Sequence, residues 1–146
     1  MYAKLFNQTI EIQLDDIGIV GMSFSLEENV VVDEESEIQK QLTEYENGLR
    51  REFKLPLHLI GTSFQKQVWN ALLEIPYGET RSYQEIAMQI GNPKALRAVG
   101  GACNRNPIGI IVPCHRVIGK NGSLTGYAGG LSYKELLLNH EKDGKL

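Results

Sequence analysis

The stretch that decides the fold lies in the second half of the chain, at residues 82–103, and reads SYQEIAMQIGNPKALRAVGGAC. Ser82 and Glu85 have the spacing of a capping box, in which each side chain bonds a free backbone N–H at the start of a helix. Gly91 follows after two helical turns and predicts the end of this helix, because glycine readily adopts the left-handed conformation found there. The stretch is therefore predicted to open with a short helix.

A second helix is predicted directly after this one. Asn92 is the expected N-cap, Pro93 is the expected first helical position, and the helix should run to about Cys103. Two helices separated by two residues have the layout of a helix-turn-helix, although helical hairpins that do not bind DNA share it. The second helix is rich in small residues, which allow close approach to another helix or to a DNA groove: Ala95, Ala98, Gly100, Gly101 and Ala102.

The segments on both sides of this motif carry further signals of secondary structure. Capping boxes predict the start of two helices, a β-branched apolar run predicts a buried strand, and a cluster of five glycines predicts a loop. In chain order these are a helix that begins with Thr62 and Gln65 and ends at Pro76, a buried strand over residues 108–112, a loop over residues 119–130, and a last helix capped by Ser132 and Glu135.

The N-terminal part has a different pattern. Short apolar runs with turn residues between them predict three strands, and a polar stretch with apolar residues at helical spacing predicts one helix. Residues 55–60 contain Pro56 and are at best an edge strand or a linker. No candidate for chemistry lies here, so we interpret this part as a scaffold. The predicted strands are residues 2–6, 9–14 and 17–26, and the helix is residues 34–51, with Ile38, Leu42, Tyr45 and Leu49 on one face.

The charge of the chain changes sign near residue 61. The net charge of the 146 residues is −3, but residues 1–61 have five basic and twelve acidic side chains, whereas residues 62–146 have ten basic and six acidic ones. A basic functional region beside an acidic region favours binding to a polyanion. Chance together with one acidic helix would give the same distribution of charge between the two halves. We predict two domains, residues 1–61 and residues 62–146, in a mixed α/β (α+β) fold. The first domain should contain a small antiparallel sheet and one helix, and the second should be mainly helical.

Composition excludes several classes of protein. Hydrophobic residues make up 42% and charged residues 23% of the chain, as in ordinary globular proteins and unlike disordered or collagen-like ones. No apolar stretch approaches the ~20 residues that a membrane-spanning helix needs, and the first residues lack the layout of a signal peptide. We expect a soluble, cytoplasmic protein whose two cysteines stay reduced.

Cys114 is the main candidate for chemistry. It follows the predicted buried strand and precedes His115 and Arg116, which would favour the reactive thiolate. The alternative is a small buried hydrophobe, which is how we interpret Cys103. Glu141 is the candidate to orient His115 as a base, because an acid in the last turn of a helix opposes the helix dipole and so points to a role elsewhere. The spacing of the cysteines and histidines does not indicate a metal site.

Together these residues resemble the methylated-DNA–protein-cysteine methyltransferases, also called O6-alkylguanine-DNA alkyltransferases. The most specific match is the run Pro113-Cys114-His115-Arg116-Val117, and the resemblance covers residues 62–141. The N-terminal part resembles only the variable, ribonuclease-H-like domain of the family. The other matching segments are Ser82-Tyr83-Gln84, Gly91-Asn92-Pro93-Lys94, Arg97-Ala98-Val99-Gly100-Gly101, Asn106-Pro107, Gly126-Tyr127-Ala128-Gly129-Gly130-Leu131 and His140-Glu141.

The resemblance implies a catalytic role for five residues. Cys114 would accept the methyl group. His115 would take the thiol proton through a water, and Glu141 would orient His115. Asn106 would be the hinge between the recognition helix and the active-site segment, and Tyr83 would bond the ring nitrogen of guanine.

The resemblance also implies how DNA is bound. The recognition helix would enter the minor groove of double-stranded DNA that contains O6-alkylguanine, and Arg97 would fill the space of the extruded nucleotide. The protein would be a monomer without cofactor, metal or membrane partner. The residues expected at DNA are Arg97, Ser82, Tyr83, Gln84, Asn92, Ala95, Ala98, Gly100 and Arg105, and those expected around the base are Tyr83, Cys114, Val117, Tyr127 and Ala128.

The function implied by the resemblance is DNA repair by a single-use enzyme. An alkyl group would pass irreversibly from O6-alkylguanine, and also from O4-methylthymine, to Cys114. One alternative is a non-catalytic helix-turn-helix protein that binds alkylated DNA, although such relatives replace the nucleophile that is present here. The other is a hydrolase that uses Cys114 and His115 as nucleophile and base.

Overall fold

The computed structural model describes residues 1–120, 122, 127 and 130–144. The chain divides into two compact units, Met1–Leu59 and Ile60–Leu146. Across the described part of the chain, no helix combines the length and the apolar character that crossing a membrane requires. The predicted fold class is confirmed, because a small antiparallel sheet with one helix is followed by a mainly helical part.

The first unit is a three-stranded antiparallel sheet with a helix packed on it. Alternate strand residues are buried, as expected for a sheet with one covered face. The helix covers this face with Leu42 and Tyr45, which are 0% and 1% exposed. All three predicted strands are confirmed. The elements are β1 (Tyr2–Leu5), β2 (Gln8–Leu14), β3 (Ile19–Ser25) and α1 (Glu37–Glu46), and the strand order is β1-β2-β3.

Helix α1 is shorter than predicted at both ends. Its N-cap is Ser36, whose side chain accepts a backbone hydrogen bond at 3.1 Å. Its C-cap is Asn47, and Gly48 follows in the left-handed conformation with φ 76°. Because the chain turns away there, Leu49 is 78% exposed instead of facing inward. The prediction extended the helical spacing past a glycine that ends the helix.

Residues 55–60 pair with the sheet at one point. Ile19 N donates to Pro56 O at 2.9 Å, and His58 N donates to Ile19 O at 2.8 Å. These two bonds make a parallel bridge between Ile19 and Leu57. The segment is thus a single bridge on the edge of β3.

The second unit is built on three helices that the sequence predicts. The capping boxes predicted for α2 and α3, two of the three predicted in the chain, are present: Gln65 N donates to the Thr62 hydroxyl and Glu85 N donates to the Ser82 hydroxyl, each at 3.1 Å. Trp69 is 2% exposed and donates its indole N–H to Ala102 O at 2.9 Å. This bond joins the first and third helices of the unit, which are α2 (Ser63–Leu73), α3 (Tyr83–Gln89) and α4 (Leu96–Asn104).

Helix α4 begins later than predicted, and the Asn92 N-cap is wrong. Ala95 N donates to Asn92 O at 3.0 Å, so residues 92–95 form a separate turn. Asparagine at the first position and Pro93 at the second are the residues that a type I turn favours. Ala95 occupies the N-cap position of α4, and no side chain caps the helix there. The same residue types serve helix caps and turns, which is why the sequence pattern misplaced the start.

Residues 108–112 are buried, as predicted, but they are not a strand. Val112 N donates to Ile108 O at 3.0 Å, and Ile111 N donates to Gly109 O at 2.9 Å, so the segment is a compact turn. Ile110 has a φ of 74°, which is unusual for a β-branched residue. The apolar side chains account for the burial, with Ile108 and Val112 both 0% exposed. Two backbone hydrogen bonds are made within the turn, and the Asn106 side chain binds two further backbone groups of the segment.

Two short strands were absent from the predictions. The strand β4 (Arg81–Ser82) pairs in parallel with β5 (Val117–Ile118), so that Arg81 lies opposite Val117 and Ser82 opposite Ile118. This pairing brings the start of α3 next to the chain that follows Cys114. Two residues are too few to leave a recognisable pattern in the sequence.

The last helix, α5 (Leu131–Gly144), starts before its predicted cap. Lys134 N donates to Gly130 O at 3.1 Å, so the helical bonds begin one turn earlier. Ser132 therefore lies inside the first turn, and the predicted Ser132–Glu135 cap is wrong. Most of the predicted glycine-rich loop, including Ala128, lies outside the described residues.

Candidate active site and nucleic-acid interface

Cys114 begins a single turn of 3-10 helix, Cys114–Arg116, directly after the buried turn of residues 108–112. Its N–H donates to Val112 O at 2.8 Å, and Arg116 N donates to Pro113 O at 2.9 Å. Cys114 is partly exposed, whereas His115 is 0% exposed. The tight turn therefore separates the two neighbours: Cys114 keeps part of its surface exposed, whereas the imidazole of His115 is enclosed.

Asn106 holds this buried turn in place. Its side-chain nitrogen Nδ2 donates to Val112 O at 2.8 Å, and its Oδ1 accepts from Ile108 N at 3.0 Å. One amide thus fastens both ends of the apolar segment that precedes Cys114. The hinge role that the resemblance implies for Asn106 stays a prediction.

His115 is bonded to Glu141, as the sequence analysis expected. His115 Nε2 lies 2.7 Å from Glu141 Oε2, and both residues are buried. Arg116 binds the same carboxylate with two nitrogens, Nε to Oε1 at 2.8 Å and Nη2 to Oε2 at 3.0 Å. A third Arg116 nitrogen, Nη1, donates to Ile75 O at 2.8 Å. The site is therefore a buried triad in which one carboxylate serves a histidine and an arginine.

The charges in this triad follow from its hydrogen bonds and its burial. Burial alone would raise the pKa of Glu141, but the hydrogen bonds and charges of His115 and Arg116 overcome it and hold that pKa well below its usual value. Burial lowers the pKa of His115, and Glu141 opposes this only in part. At neutral pH Glu141 is ionised and His115 is neutral.

A neutral His115 has one proton, and its position is fixed by Glu141. An ionised carboxylate can only accept, so Nε2 must carry the hydrogen. Nδ1 is then left with a free lone pair. It is buried and has no hydrogen-bond partner among the described residues. The second nitrogen of the ring is therefore in the form that can take up a proton.

Cys114 is a weak acid in this structure. Burial raises the pKa of its thiol, while a hydrogen bond with Asn106 and the charge of Lys134 lower it. Lys134 is 0% exposed and donates from Nζ to Val117 O at 2.6 Å. The net shift is upward, so the thiol is protonated at neutral pH and needs a base to react.

Cys103 provides a contrast to Cys114. It is 7% exposed in α4, and burial raises the pKa of its thiol to about 12. A thiol with that pKa stays protonated and unreactive under physiological conditions. The interpretation of Cys103 as a packing residue agrees with its position.

Tyr83, Val117 and Tyr127 come from three separate parts of the chain. The Tyr83 ring lies beside α4, since a Cβ at Gly100 would be 4.0 Å from its Cε1. Val117 is 0% exposed in β5. Burial raises the pKa of the Tyr127 hydroxyl, and the nearby Cys114 raises it further. Tyr127 and Cys114 are therefore neighbours, while the fifth residue predicted around the base, Ala128, is outside the described residues.

Two open grooves lie along two different faces of α4. The first, here called the Tyr83 groove, runs between the start of α3 and one face of α4 and is lined by Ser82, Tyr83, Gln84, Leu96, Arg97, Gly100, Asn104 and Lys120. The second, the Lys94 groove, runs between the start of α2 and the other face of α4 and is lined by Thr62, Phe64, Gln65, Lys94, Ala95, Arg97, Ala98, Gly101, Ala102 and Arg105.

Most residues predicted to contact DNA line one of these grooves. Ser82, Gln84 and Gly100 line the Tyr83 groove, whereas Ala95, Ala98 and Arg105 line the Lys94 groove, and Arg97 lines both. Asn92 is exposed in the turn before α4. The structure thus gathers these residues on the two sides of one helix.

Sequence reasoning missed three contributions to this surface and site. Arg116 was expected only to favour the thiolate, but it is also the main partner of Glu141. Lys134 and Lys120 were not singled out at all. Lys134 shares one face of α5 with Glu141, seven residues later, and this spacing could have revealed it. Lys120 has no signal of this kind.

Comparison with known proteins places this arrangement in a defined class. Residues 63–143 match the family model described as 6-O-methylguanine DNA methyltransferase, DNA binding domain. The chain therefore belongs to the methylated-DNA–protein-cysteine methyltransferase family.

Individual relatives agree with this assignment. A methylated-DNA–protein-cysteine methyltransferase of Methanosarcina acetivorans is 66% identical over 105 residues, which are 72% of this chain and 67% of that protein. An inducible protein of the same name from Bacillus subtilis is 59% identical over 102 residues, which are 70% of this chain and 57% of that protein. The crystal structure of Mycobacterium tuberculosis OGT in complex with DNA is 46% identical, with a TM-score of 0.84, and the match covers 93% of this chain and 88% of that one.

Proposed function

We propose that this protein repairs alkylated DNA by direct reversal. It transfers the methyl or larger alkyl group of O6-alkylguanine in double-stranded DNA, and that of O4-methylthymine, to its own Cys114. The observation that carries the proposal is the buried Nδ1 of His115, which has no partner among the described residues and belongs to the residue that follows the protonated Cys114 in the sequence. Membership of the family supports the same reaction.

The reaction takes the following form. His115 Nδ1 accepts the proton of the Cys114 thiol through a bridging water, because adjacent side chains on a turn diverge. The thiolate attacks the alkyl carbon, a new S–C bond forms, and the C–O6 bond breaks with its electron pair passing to the guanine. Glu141 and Arg116 hold the imidazole in the correct tautomer. Tyr83 stabilises the charge that develops on the leaving base.

The alkyl group must first be brought out of the duplex. Extruding a base costs a few kcal/mol of stacking and pairing. We propose that α4 lies in the minor groove and that Arg97, which is exposed on α4, fills the space that the base leaves. The extruded base is held by Tyr83, Cys114, Val117, Tyr127 and Ala128, with Ser82, Gln84, Asn92, Ala95, Ala98, Gly100 and Arg105 at the DNA surface.

The product explains why the protein acts once. A thioether at Cys114 has no leaving group that water could displace under physiological conditions, so each molecule repairs one lesion. No cofactor or metal takes part in this reaction scheme. We further propose that the protein works in the cytoplasm as a monomer and that residues 1–61 act as a ribonuclease-H-like scaffold domain for residues 62–146.

Intact-mass spectrometry tests the proposed function. After incubation with a duplex that contains O6-methylguanine, the protein should gain one methyl group, and peptide mapping should place it on Cys114. The Cys114→Ser variant should bind the same duplex but gain no mass, whereas the matched Cys103→Ser variant should be methylated like the unchanged protein. An unchanged mass would favour a protein that only binds the lesion, and an adduct on Cys103 would refute the assignment of the nucleophile.

A further inference from the structure

We propose that the two grooves beside α4 hold different strands of the duplex. The Tyr83 groove would hold the strand that carries the lesion, with Lys120 on its phosphates. The Lys94 groove would hold the complementary strand, with Lys94 and Arg105 on its phosphates. This inference rests on the proposed function and adds a strand assignment to it.

The two grooves are separated by α4 itself. Leu96, Gly100 and Asn104 recur every four residues and line the Tyr83 groove, whereas Ala98, Gly101 and Arg105, spaced by three and four residues, line the Lys94 groove. Residues three or four apart share a face of a helix, so these two sets face in different directions. Arg97 lines both grooves and therefore marks the ridge between them.

A duplex matches this arrangement because a minor groove is bounded by one phosphate backbone on each side. A helix with its side chains is about 10–12 Å across, wider than the minor groove of about 6 Å. A helix that enters the minor groove therefore widens it and meets a different strand with each of its two faces. The group proposed to act on the extruded base, Tyr83, lies in one groove only. That groove must then receive the strand from which the base comes, and the Lys94 groove receives the other strand.

The charges of the grooves fit phosphates on both sides. Lys94, Arg97, Arg105 and Lys120 are all exposed, and none of them has an ion-pair partner among the described residues. The described lining of the two grooves contains no acidic residue. Arg105 extends back along α4, since a Cβ at Gly101 would be 3.4 Å from its Nη1. Its guanidinium therefore lies along the Lys94 groove and away from Lys120.

The test compares three substrates that carry the same O6-methylguanine. The first is an ordinary duplex, the second is a duplex whose complementary strand has neutral methylphosphonate linkages, and the third is the lesion strand alone. The rate of methyl transfer at limiting protein is measured over a range of salt concentrations for the unchanged protein, Lys94→Gln/Arg105→Gln and Lys120→Gln. Lys142→Gln, which removes an exposed charge from α5, is the matched control.

The expected results differ between the two grooves. Removing one basic side chain that binds a phosphate should lower the slope of log rate against log salt by roughly 1 on duplex DNA. The double variant should therefore lower this slope by roughly two units on the ordinary duplex and leave it unchanged on the other two substrates. Lys120→Gln should lower it by roughly one unit on both duplexes and by roughly 0.7 on the single strand. Lys142→Gln should match the unchanged protein on all three.

Two results would overturn the strand assignment. One is a decrease of slope for the double variant on the single strand or on the methylphosphonate duplex that is as large as its decrease on the ordinary duplex. The other is a decrease for Lys120→Gln that requires a charged complementary strand. If the unchanged protein transfers no methyl group from any substrate, the proposed function itself fails. Normal transfer with the wrong pattern of slopes rejects only the strand assignment.

Discussion

Helix α3 and the segment of residues 106–117 are neighbours in the second unit, yet they keep their shapes in different ways. Helix α3 is held by bonds between residues close in sequence, including the reciprocal Ser82–Glu85 cap. The segment of residues 106–117 is held by the Asn106 amide, by a two-residue strand pairing and by side chains that arrive from α5. Local rules therefore shape the helix that opens the predicted DNA-binding motif, whereas bonds between distant residues shape the reactive site.

The largest expected effect comes from removing the charge of Glu141. In Glu141→Gln the Arg116 guanidinium, which is 7% exposed, loses its buried counter-charge. Breaking a buried pair from one side costs about 3–5 kcal/mol, and urea unfolding should show a loss of that size. Glu135→Gln, at an exposed position of the same helix, should change stability by less than about 0.5 kcal/mol. Equal stabilities for the two variants would contradict the buried triad.

Acid should weaken the same triad in two stages. The pKa of His115 is held below its ordinary value of 6.5, so below that pH the unfolded chain binds a proton that the folded site refuses, and stability falls as pH decreases. The pKa of Glu141 is also lowered, from 4.5, so a second loss begins below that pH.

Unfolding by urea between pH 7.5 and 5 isolates the first stage of this acid effect. The loss should be smaller than that of Glu141→Gln, because Glu141 stays ionised throughout. His115→Gln, whose side chain cannot take up a proton, should lose this part of the pH dependence, whereas the unchanged protein keeps it. The same pH dependence in His115→Gln would assign the effect to another group.

Removing Asn106 should have an intermediate effect. Asn106→Ala leaves Ile108 N–H without its partner in a buried turn and removes one of the two hydrogen bonds to Val112 C=O, which keeps its bond from Cys114 N. An unsatisfied buried group costs about 1–3 kcal/mol. Asn92→Ala is the matched control, since Asn92 is exposed and does not cap α4 through its side chain. It should change stability by no more than about 0.5 kcal/mol. A larger loss for Asn92→Ala than for Asn106→Ala would reverse the contrast between the two regions.

The smallest effect separates a true cap from a false one. Ser82→Ala removes a hydroxyl that accepts from Glu85 N, and such a loss typically costs about 1 kcal/mol. Ser132→Ala changes a serine with the same sequence pattern that lies inside the first turn of α5, and it should cost almost nothing. Thermal unfolding of both variants measures the difference. A cost for Ser132→Ala as large as that for Ser82→Ala would mean that the hydroxyl does cap α5.

The errors of sequence-based prediction cluster where one pattern serves two structures. Asn92-Pro93 suits a helix start or a type I turn, and the structure uses the turn. The apolar residues 108–112 suit a buried strand or a buried loop, and the Asn106 amide makes them a loop. The helix predicted over residues 34–51 continued past Gly48, where the chain turns outward. For residues 108–112 the hydrophobic pattern predicted burial correctly and backbone conformation wrongly, whereas for Leu49 it predicted neither correctly.

The candidate site was predictable in its residue types but not in its geometry. Cys114, His115 and Glu141 could be chosen from the sequence because a reactive thiol needs a base and the base needs a carboxylate. The bonds between Arg116 and that carboxylate could not be predicted, since 25 residues separate Arg116 from Glu141 in the sequence. The buried Lys134 was missed for a similar reason, because its bond to Val117 depends on how α5 packs.

Sequence alone was enough to specify the helices α2 and α3, the three strands of the first unit and the charge difference between the two halves. It was also enough to propose Cys114 as the nucleophile. These features depend on hydrophobic spacing, on capping residues and on chemistry that a few adjacent residues carry. The folded structure was needed to find that His115 is neutral with a free Nδ1, that Asn106 shapes the buried turn and that α4 separates two basic grooves. Those features depend on burial and on bonds between distant residues, which no local pattern encodes.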